Sequence, residues 1–96
     1  MKKFNVKVQN MQNSNGNNAV NQFEIFTNDG VYFQSYSTVI AFKDTKTGKI
    51  YLDKDKWDYS VTTGRFRNDF LNEGIAETRK KIEAGVYKLV DLNKQY

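Results

Sequence analysis

Turn residues divide the first half of this chain into short segments that have the composition of strands. Asn28-Asp29-Gly30 separates Gln22–Thr27 from Val31–Ser35, and Asp-Gly between two such segments is a strong hairpin signal. The further predicted strands are Lys2–Gln9, Tyr36–Phe42 and Lys49–Asp53. Because the connections between them are short and contain no crossover helix, the sequence predicts an antiparallel meander.

Helical periodicity appears in the second half, after Trp57. Ser60, Thr62 or Thr63 can cap a helix that begins near Gly64, since each hydroxyl can accept a hydrogen bond from a free amide. The helical pattern continues over Ile75–Ala84, and a final strand is predicted over Val86–Leu92. The predicted fold class is α+β: an antiparallel β-meander sheet of five to six strands with one or two helices packed on one face. Residues 1–96 are expected to form a single domain.

The segment Asn10–Asn21 is rich in asparagine and contains almost nothing to bury. Asparagine and glycine favour turns and tolerate left-handed backbone. We therefore predict a flexible loop over residues 10–21, which either connects two elements or contributes to binding.

Composition excludes several kinds of chemistry. The chain contains no cysteine and no histidine, which removes thiol nucleophiles, thiolate metal sites and the commonest general base. Asp53-Lys54-Asp55 resembles the start of a calcium loop, but Asp58 and Gly64 stand where that loop needs Gly and Glu. The expectation is a protein without enzymatic activity, cofactor or metal.

Charge and hydropathy give no sign of a membrane protein. No apolar stretch approaches the length of a membrane span, and the basic N-terminus lacks the apolar core of a signal peptide. A cytosolic (cytoplasmic) location is therefore expected.

The net charge of +4 is divided evenly, with +2 in residues 1–48 and +2 in residues 49–96. Such a balance permits nucleic-acid binding without indicating it.

The segment from Trp57 to Leu71 is the best candidate for a protein contact. Trp, Tyr and Arg are enriched at binding hot spots, and this segment contains the only tryptophan and two of the three arginines. We expect Trp57 to be structural and buried between sheet and helix. The predicted partner-binding residues are Tyr59, Arg65 and Arg67, together with Asn15 and Asn17 of the Asn-rich loop.

The tyrosines offer an alternative site. Aromatic side chains on a sheet beside lysines can stack on the bases of a single strand. Tyr36, Tyr51, Lys43 and Lys49 could share such a face, which would make this a nucleic-acid-binding protein. The other explanation is that aromatics are simply favoured in strands by propensity and cross-strand packing.

Two motifs carry a resemblance to a known family. Ser35-Tyr36-Ser37-Thr38-Val39-Ile40-Ala41 and Trp57-Asp58-Tyr59-Ser60-Val61-Thr62-Thr63 resemble those of small uncharacterised proteins from phages and integrative elements of low-GC Gram-positive bacteria. The resemblance covers about residues 33–92. It implies a setting rather than an activity, namely an accessory protein that acts on host or phage machinery.

In that setting we expect a non-catalytic inhibitor that binds a host defence protein or nucleoprotein complex, similar to an anti-CRISPR factor. The alternative is a single-stranded nucleic-acid-binding accessory of replication or recombination. The inhibitor is favoured because a strand-binding protein usually concentrates its positive charge. The chain could be a monomer or a homodimer, and a Tyr36–Phe42 strand at a sheet edge could pair across a two-fold axis.

Overall fold

A single six-stranded sheet organises the molecule, whose computed structural model describes residues 6–94. The strand order follows the chain, β1 to β6, and every neighbouring pair is antiparallel except β5 and β6, which are parallel. The α+β meander expected from the sequence is confirmed. The strands are β1 Lys7–Gln12, β2 Asn18–Phe26, β3 Gly30–Ser35, β4 Thr38–Asp44, β5 Ile50–Asp53 and β6 Tyr87–Val90.

The β2–β3 hairpin forms at Asp29-Gly30, as the sequence predicts. The amide of Thr27 donates to the carbonyl of Gly30 at 2.8 Å, which closes the turn. Gly30 has φ +155, and a Cβ built there would lie 2.0 Å from the carbonyl oxygen of Lys43 on β4. The position therefore requires glycine because β4 passes directly against its backbone.

The connection between β3 and β4 corrects the predicted strand Tyr36–Phe42. Tyr36 has φ +56 and lies in a tight turn with Ser37, so β4 begins only at Thr38. A bulge then shifts the β3–β4 register at Phe33, and both Ile40 and Ala41 are fully buried. Because β4 is paired on both sides, it is not an edge strand, and the predicted pairing of this strand across a two-fold axis is wrong.

The Asn-rich segment forms a hairpin rather than a loop over residues 10–21. Its two ends belong to β1 and β2, and only Asn13–Asn17 make the turn. The Asn13 side chain accepts hydrogen bonds from the amides of Asn15 and Asn17, at 3.0 and 3.1 Å. Pairing between the two strands satisfies their backbone hydrogen-bonding groups although their side chains are polar. Polar side chains give no strand-like hydrophobic pattern, so the sequence did not reveal these strands. The predicted first strand also ends later than expected, at Gln12, and its residues 2–5 lie outside the described part of the chain.

Two helices cover one face of the sheet: α1, Val61–Leu71, and α2, Ile75–Glu83. Of the three candidate caps, Ser60 caps α1 by accepting from the amide of Thr63 at 3.1 Å. The helix ends at Asn72, which has left-handed backbone, and Gly74 precedes α2. The core lies between this helix face and the sheet, where the ring centroids of Phe33 and Phe70 are 5.7 Å apart.

A polar cluster joins the two helices to β6. The carboxylate of Glu73 accepts hydrogen bonds from Thr78 at 2.6 Å, Lys81 at 2.7 Å and Tyr87 at 2.8 Å. Burial alone would raise the pKa of Glu73, but these donors outweigh it and hold the pKa below its ordinary value. The same carboxylate forms an ion pair with Lys81.

Candidate functional site

The junction between β5 and α1 is organised around the side chain of Arg67. Its guanidinium donates to the carbonyl of Trp57 at 2.8 Å and to the carboxylate of Asp58 at 3.1 Å. It also donates to the Asn68 side chain at 3.0 Å and lies 5.3 Å from the centre of the Trp57 ring. Trp57 itself is partly buried and packs against the core.

This geometry corrects one of the predicted contact residues. The Arg67 side chain is only 2% exposed, so it has no surface to offer a partner. Arg65 and Arg67 are two positions apart on α1, so they point about 200° apart, and Arg67 shares a side of the helix with the buried Thr63. The chain before the helix folds over Arg67 and supplies its acceptors. Arg67 is therefore a structural residue that fixes the junction.

A shallow groove opens between this junction and the two helices, and we call it the arginine groove. Asp58 lies in it and bridges Arg67 at 3.1 Å and Arg79 of α2 at 3.2 Å. Two of the predicted contact residues, Tyr59 and Arg65, are exposed along it. The lining residues are Asp58, Tyr59, Ser60, Val61, Gly64, Arg65, Arg67, Asn68, Ile75 and Arg79.

The electrostatics of the arginine groove favour a negatively charged ligand. Three arginines and a single carboxylate, that of Asp58, line the groove, which leaves an excess of positive charge. The N-terminus of α1 adds to it, since its first turn contains no acidic residue to offset the helix dipole. Apolar contact area is present as well: Val61 is 85% exposed and Tyr59 is 44% exposed.

Asn15 and Asn17, the other predicted contact residues, do not belong to this groove. Both are exposed in the turn between β1 and β2, and no residue of that hairpin lines the arginine groove. The hairpin and the groove are therefore separate surfaces, and the structure does not join them into one predicted site.

The four residues proposed for nucleic-acid binding do not share a face. Lys43 lies on the helix side, where its ammonium group donates to the carbonyl of Phe70. Burial lowers the pKa of Lys43, and the nearby Glu24 carboxylate counteracts this. Tyr36 is in the β3–β4 turn, whereas Tyr51 points to the opposite face of the sheet from Lys43. Lys49 is exposed just before β5.

Sequence reasoning missed two residues of the arginine groove. Arg79 belongs to the basic sequence Arg79-Lys80-Lys81, which is typical of a solvated helix face, yet it reaches Asp58 across 21 positions of sequence. Asp58 lies in a turn of alternating charges, and that pattern by itself predicts only a solvent-exposed turn. Only the packing of α2 against the junction brings the two together, so no local signal could have identified them.

Within residues 6–94, no group of three or more carboxylates is placed to hold a metal ion. In the same range, neither helix is long and apolar enough to cross a bilayer.

One comparison with known proteins gives a match. The model of a family of unknown function (DUF8033) matches residues 6–85. No curated protein and no solved structure matches the chain. The match covers β1 through α2 and stops just short of β6.

Proposed function

Because the chain belongs to this family, to which no function is assigned, we propose from the geometry that it is a non-catalytic binding protein. Its binding surface is the arginine groove, and its partner is a protein that presents an acidic segment. The observation that carries the proposal is that Arg65 and Arg79 line the same groove as an exposed tyrosine, Tyr59, beside the N-terminus of α1.

The arrangement suits recognition because its parts are already held in place. Asp58 is fixed by Arg67 and Arg79, and Arg67 is itself buried, so the floor of the groove is rigid before a partner arrives. Arg65 carries no described ion pair, and its charge is available to a carboxylate on the partner. A preorganised surface loses little conformational entropy on binding.

The groups that could act in catalysis are engaged structurally. The Ser60 hydroxyl accepts from the amide of Thr63 as the cap of α1, and Asp58 accepts from two arginines. A nucleophile needs an adjacent general base, and the cap geometry offers Ser60 a backbone amide instead. This supports a binding role rather than a reaction.

The partner class comes from the setting implied by the sequence. The resemblance to accessory proteins of phages and integrative elements makes a host defence protein or nucleoprotein complex the proposed target, bound stoichiometrically and inhibited. Such a target often has a nucleic-acid channel, and a protein that covers its acidic or catalytic residues would block it. The groove's excess positive charge fits acidic residues rather than the phosphate-binding lysines of that channel.

The test is a tagged pull-down from a Gram-positive host lysate treated with nuclease, followed by mass spectrometry. We expect one stoichiometric protein partner, lost with Tyr59→Ala plus Arg65→Glu. Lys7→Glu is the matched control, because Lys7 is exposed on β1 and lies outside the groove. Equal recovery by the groove variant and the control would refute the groove as the binding surface. Recovery of nucleic-acid proteins that disappear with nuclease would support the strand-binding alternative instead.

A further inference from the structure

The sheet face opposite the helices, here called the open face, carries a continuous row of side chains across all the strands. Each member is the cross-strand neighbour of the next, and we call the set the aromatic row. Its members are Val8, Ile25, Tyr32, Phe42, Tyr51 and Lys88. Ring centroids are 4.4 Å apart for Tyr32 and Phe42, and 6.2 Å apart for Phe42 and Tyr51. Five of the six residues are apolar or aromatic, and the one charge lies at the β6 end.

Over Gln22–Ile25, the polarity of β2 is the reverse of what a sheet with one solvated face shows. An antiparallel sheet normally points apolar side chains toward its helices and polar ones toward water. On β2, however, Gln22 and Glu24 pair with the helix-side residues Ser35 and Phe33, while Phe23 and Ile25 point to the open face. Apolar residues have been placed on the side without helices, which indicates that the open face is covered by another surface.

We propose that a second copy of this chain covers the open face, through a two-fold axis that runs parallel to the strands between β3 and β4. Such an axis makes the aromatic row of one copy run in the opposite direction to that of the other. Tyr32 of one copy then faces Phe42 of the other, Ile25 faces Tyr51, and Val8 faces Lys88. The aromatic centre packs on itself, and the two Lys88 charges lie at opposite ends. They are roughly 24 Å apart, which is several Debye lengths at physiological salt.

The stacking of the rings favours protein packing over base stacking. A base needs a free ring face, but Tyr32 and Phe42 are stacked on each other at an interplanar angle of 28°. Their edges therefore point outward, which suits the interdigitation of two packed sheets. The face is free of like charge at its centre, so bringing two copies together there costs little electrostatic energy.

The size of the open face matches a modest dimer interface. Six strands of four to nine residues, about five of which pair across the sheet, cover roughly 30 Å by 17 Å, so two copies bury about 1,000 Å² in total. That lies at the lower end of specific interfaces, and the dimer is expected to dissociate in the micromolar range.

The first experiment is sedimentation velocity of the full chain from about 5 to 500 μM, a range chosen to span micromolar dissociation. We expect the wild type to become dimeric as concentration rises. Tyr32→Glu should raise the dissociation constant at least about tenfold, because it places a charge at the centre of the interface. Leu89→Glu is the matched control, since Leu89 is partly exposed at the sheet edge and alternates onto the helix side. A wild type that stays monomeric at the highest concentration overturns the proposal, as does equal weakening by both variants.

A second experiment tests the axis on chains with little change to the aromatic centre. Since the sequence contains no cysteine, a single introduced cysteine is the only thiol that the cross-linking reagent can modify. A short bismaleimide is the suitable reagent, because facing Cα atoms of packed sheets lie about 10 Å apart, too far for a disulfide. Mixing Ile25→Cys and Tyr51→Cys chains should give the mixed cross-linked product in excess over either self-linked product. A majority of self-linked chains, or linkage no faster than that of Leu89→Cys, contradicts the proposed axis.

Discussion

Replacing Arg67 by alanine is the most direct test of the corrected assignment, because a surface contact and a buried anchor predict different results. The substitution removes three hydrogen bonds, to Trp57, Asp58 and Asn68, and the packing of the guanidinium on the Trp57 ring. The Asp58 carboxylate is 35% exposed and keeps its bond to Arg79, so water and Arg79 compensate part of the loss. We therefore expect about 3 kcal/mol of destabilisation, at the lower end of the cost of breaking a buried ion pair.

The assays are urea unfolding and thermal unfolding, both followed by far-UV circular dichroism, with wild type, Arg67→Ala and Arg65→Ala measured side by side. A loss of this size lowers the melting temperature by roughly 12–24 °C in a domain of this length. Arg65→Ala should change the free energy of unfolding by no more than about 0.5 kcal/mol, because Arg65 is exposed on the same helix. If Arg67→Ala costs less than about 1 kcal/mol, the claim that Arg67 holds the junction is refuted.

The remaining predictions concern backbone space and pH. Gly30→Ala should destabilise the protein by about 3 kcal/mol or more, because the added Cβ meets the Lys43 carbonyl. Gly16→Ala, with open space around its Cβ, should cost only about 1 kcal/mol. Equal shifts of the melting temperature for the two variants would contradict this. The lowered pKa of Glu73 means that its contribution to stability is present above the unfolded pKa of about 4.5 and is lost as pH falls through the folded pKa. Glu73→Gln should therefore be less stable at neutral pH and lose less stability on acidification, and parallel urea-midpoint curves from pH 7 to about 3 would disprove the linkage.

Local chemistry accounts for the parts of the fold that could be predicted from the sequence. The turn at Asp29-Gly30 needs only a few neighbouring residues, and the same is true of the Ser60 cap. The alternation of Ile50, Tyr51 and Leu52 likewise identifies β5 from side-chain polarity alone. Each of these features is decided by interactions within a few positions of the chain, so a sequence pattern can carry them.

The parts that could not be predicted depend on contacts between distant segments. The strands around Asn10 and Asn18 contain few apolar residues, and only their pairing with each other makes them regular. Arginine is rarely fully buried, and the burial of Arg67 depends on acceptors that the chain at Trp57 and Asp58 supplies. Phe23 and Ile25 of β2 lie on the open face, and their alternation alone does not say which face of the sheet the helices will cover.

The parallel pairing of β5 and β6 bears on how the chain folds as it is synthesised. Strands β1 to β5 can assemble through successive local hairpins, but the residue that pairs with Asp53 is Val90, 37 positions later. At roughly 5–20 residues per second, the ribosome leaves the outer edge of β5 unpaired for about 2–7 seconds. During that interval Phe33, Ile40 and Leu52 also lack the helices that bury them. The nascent meander is thus the stage at which this protein is most exposed to aggregation, and the stage at which a chaperone would bind it.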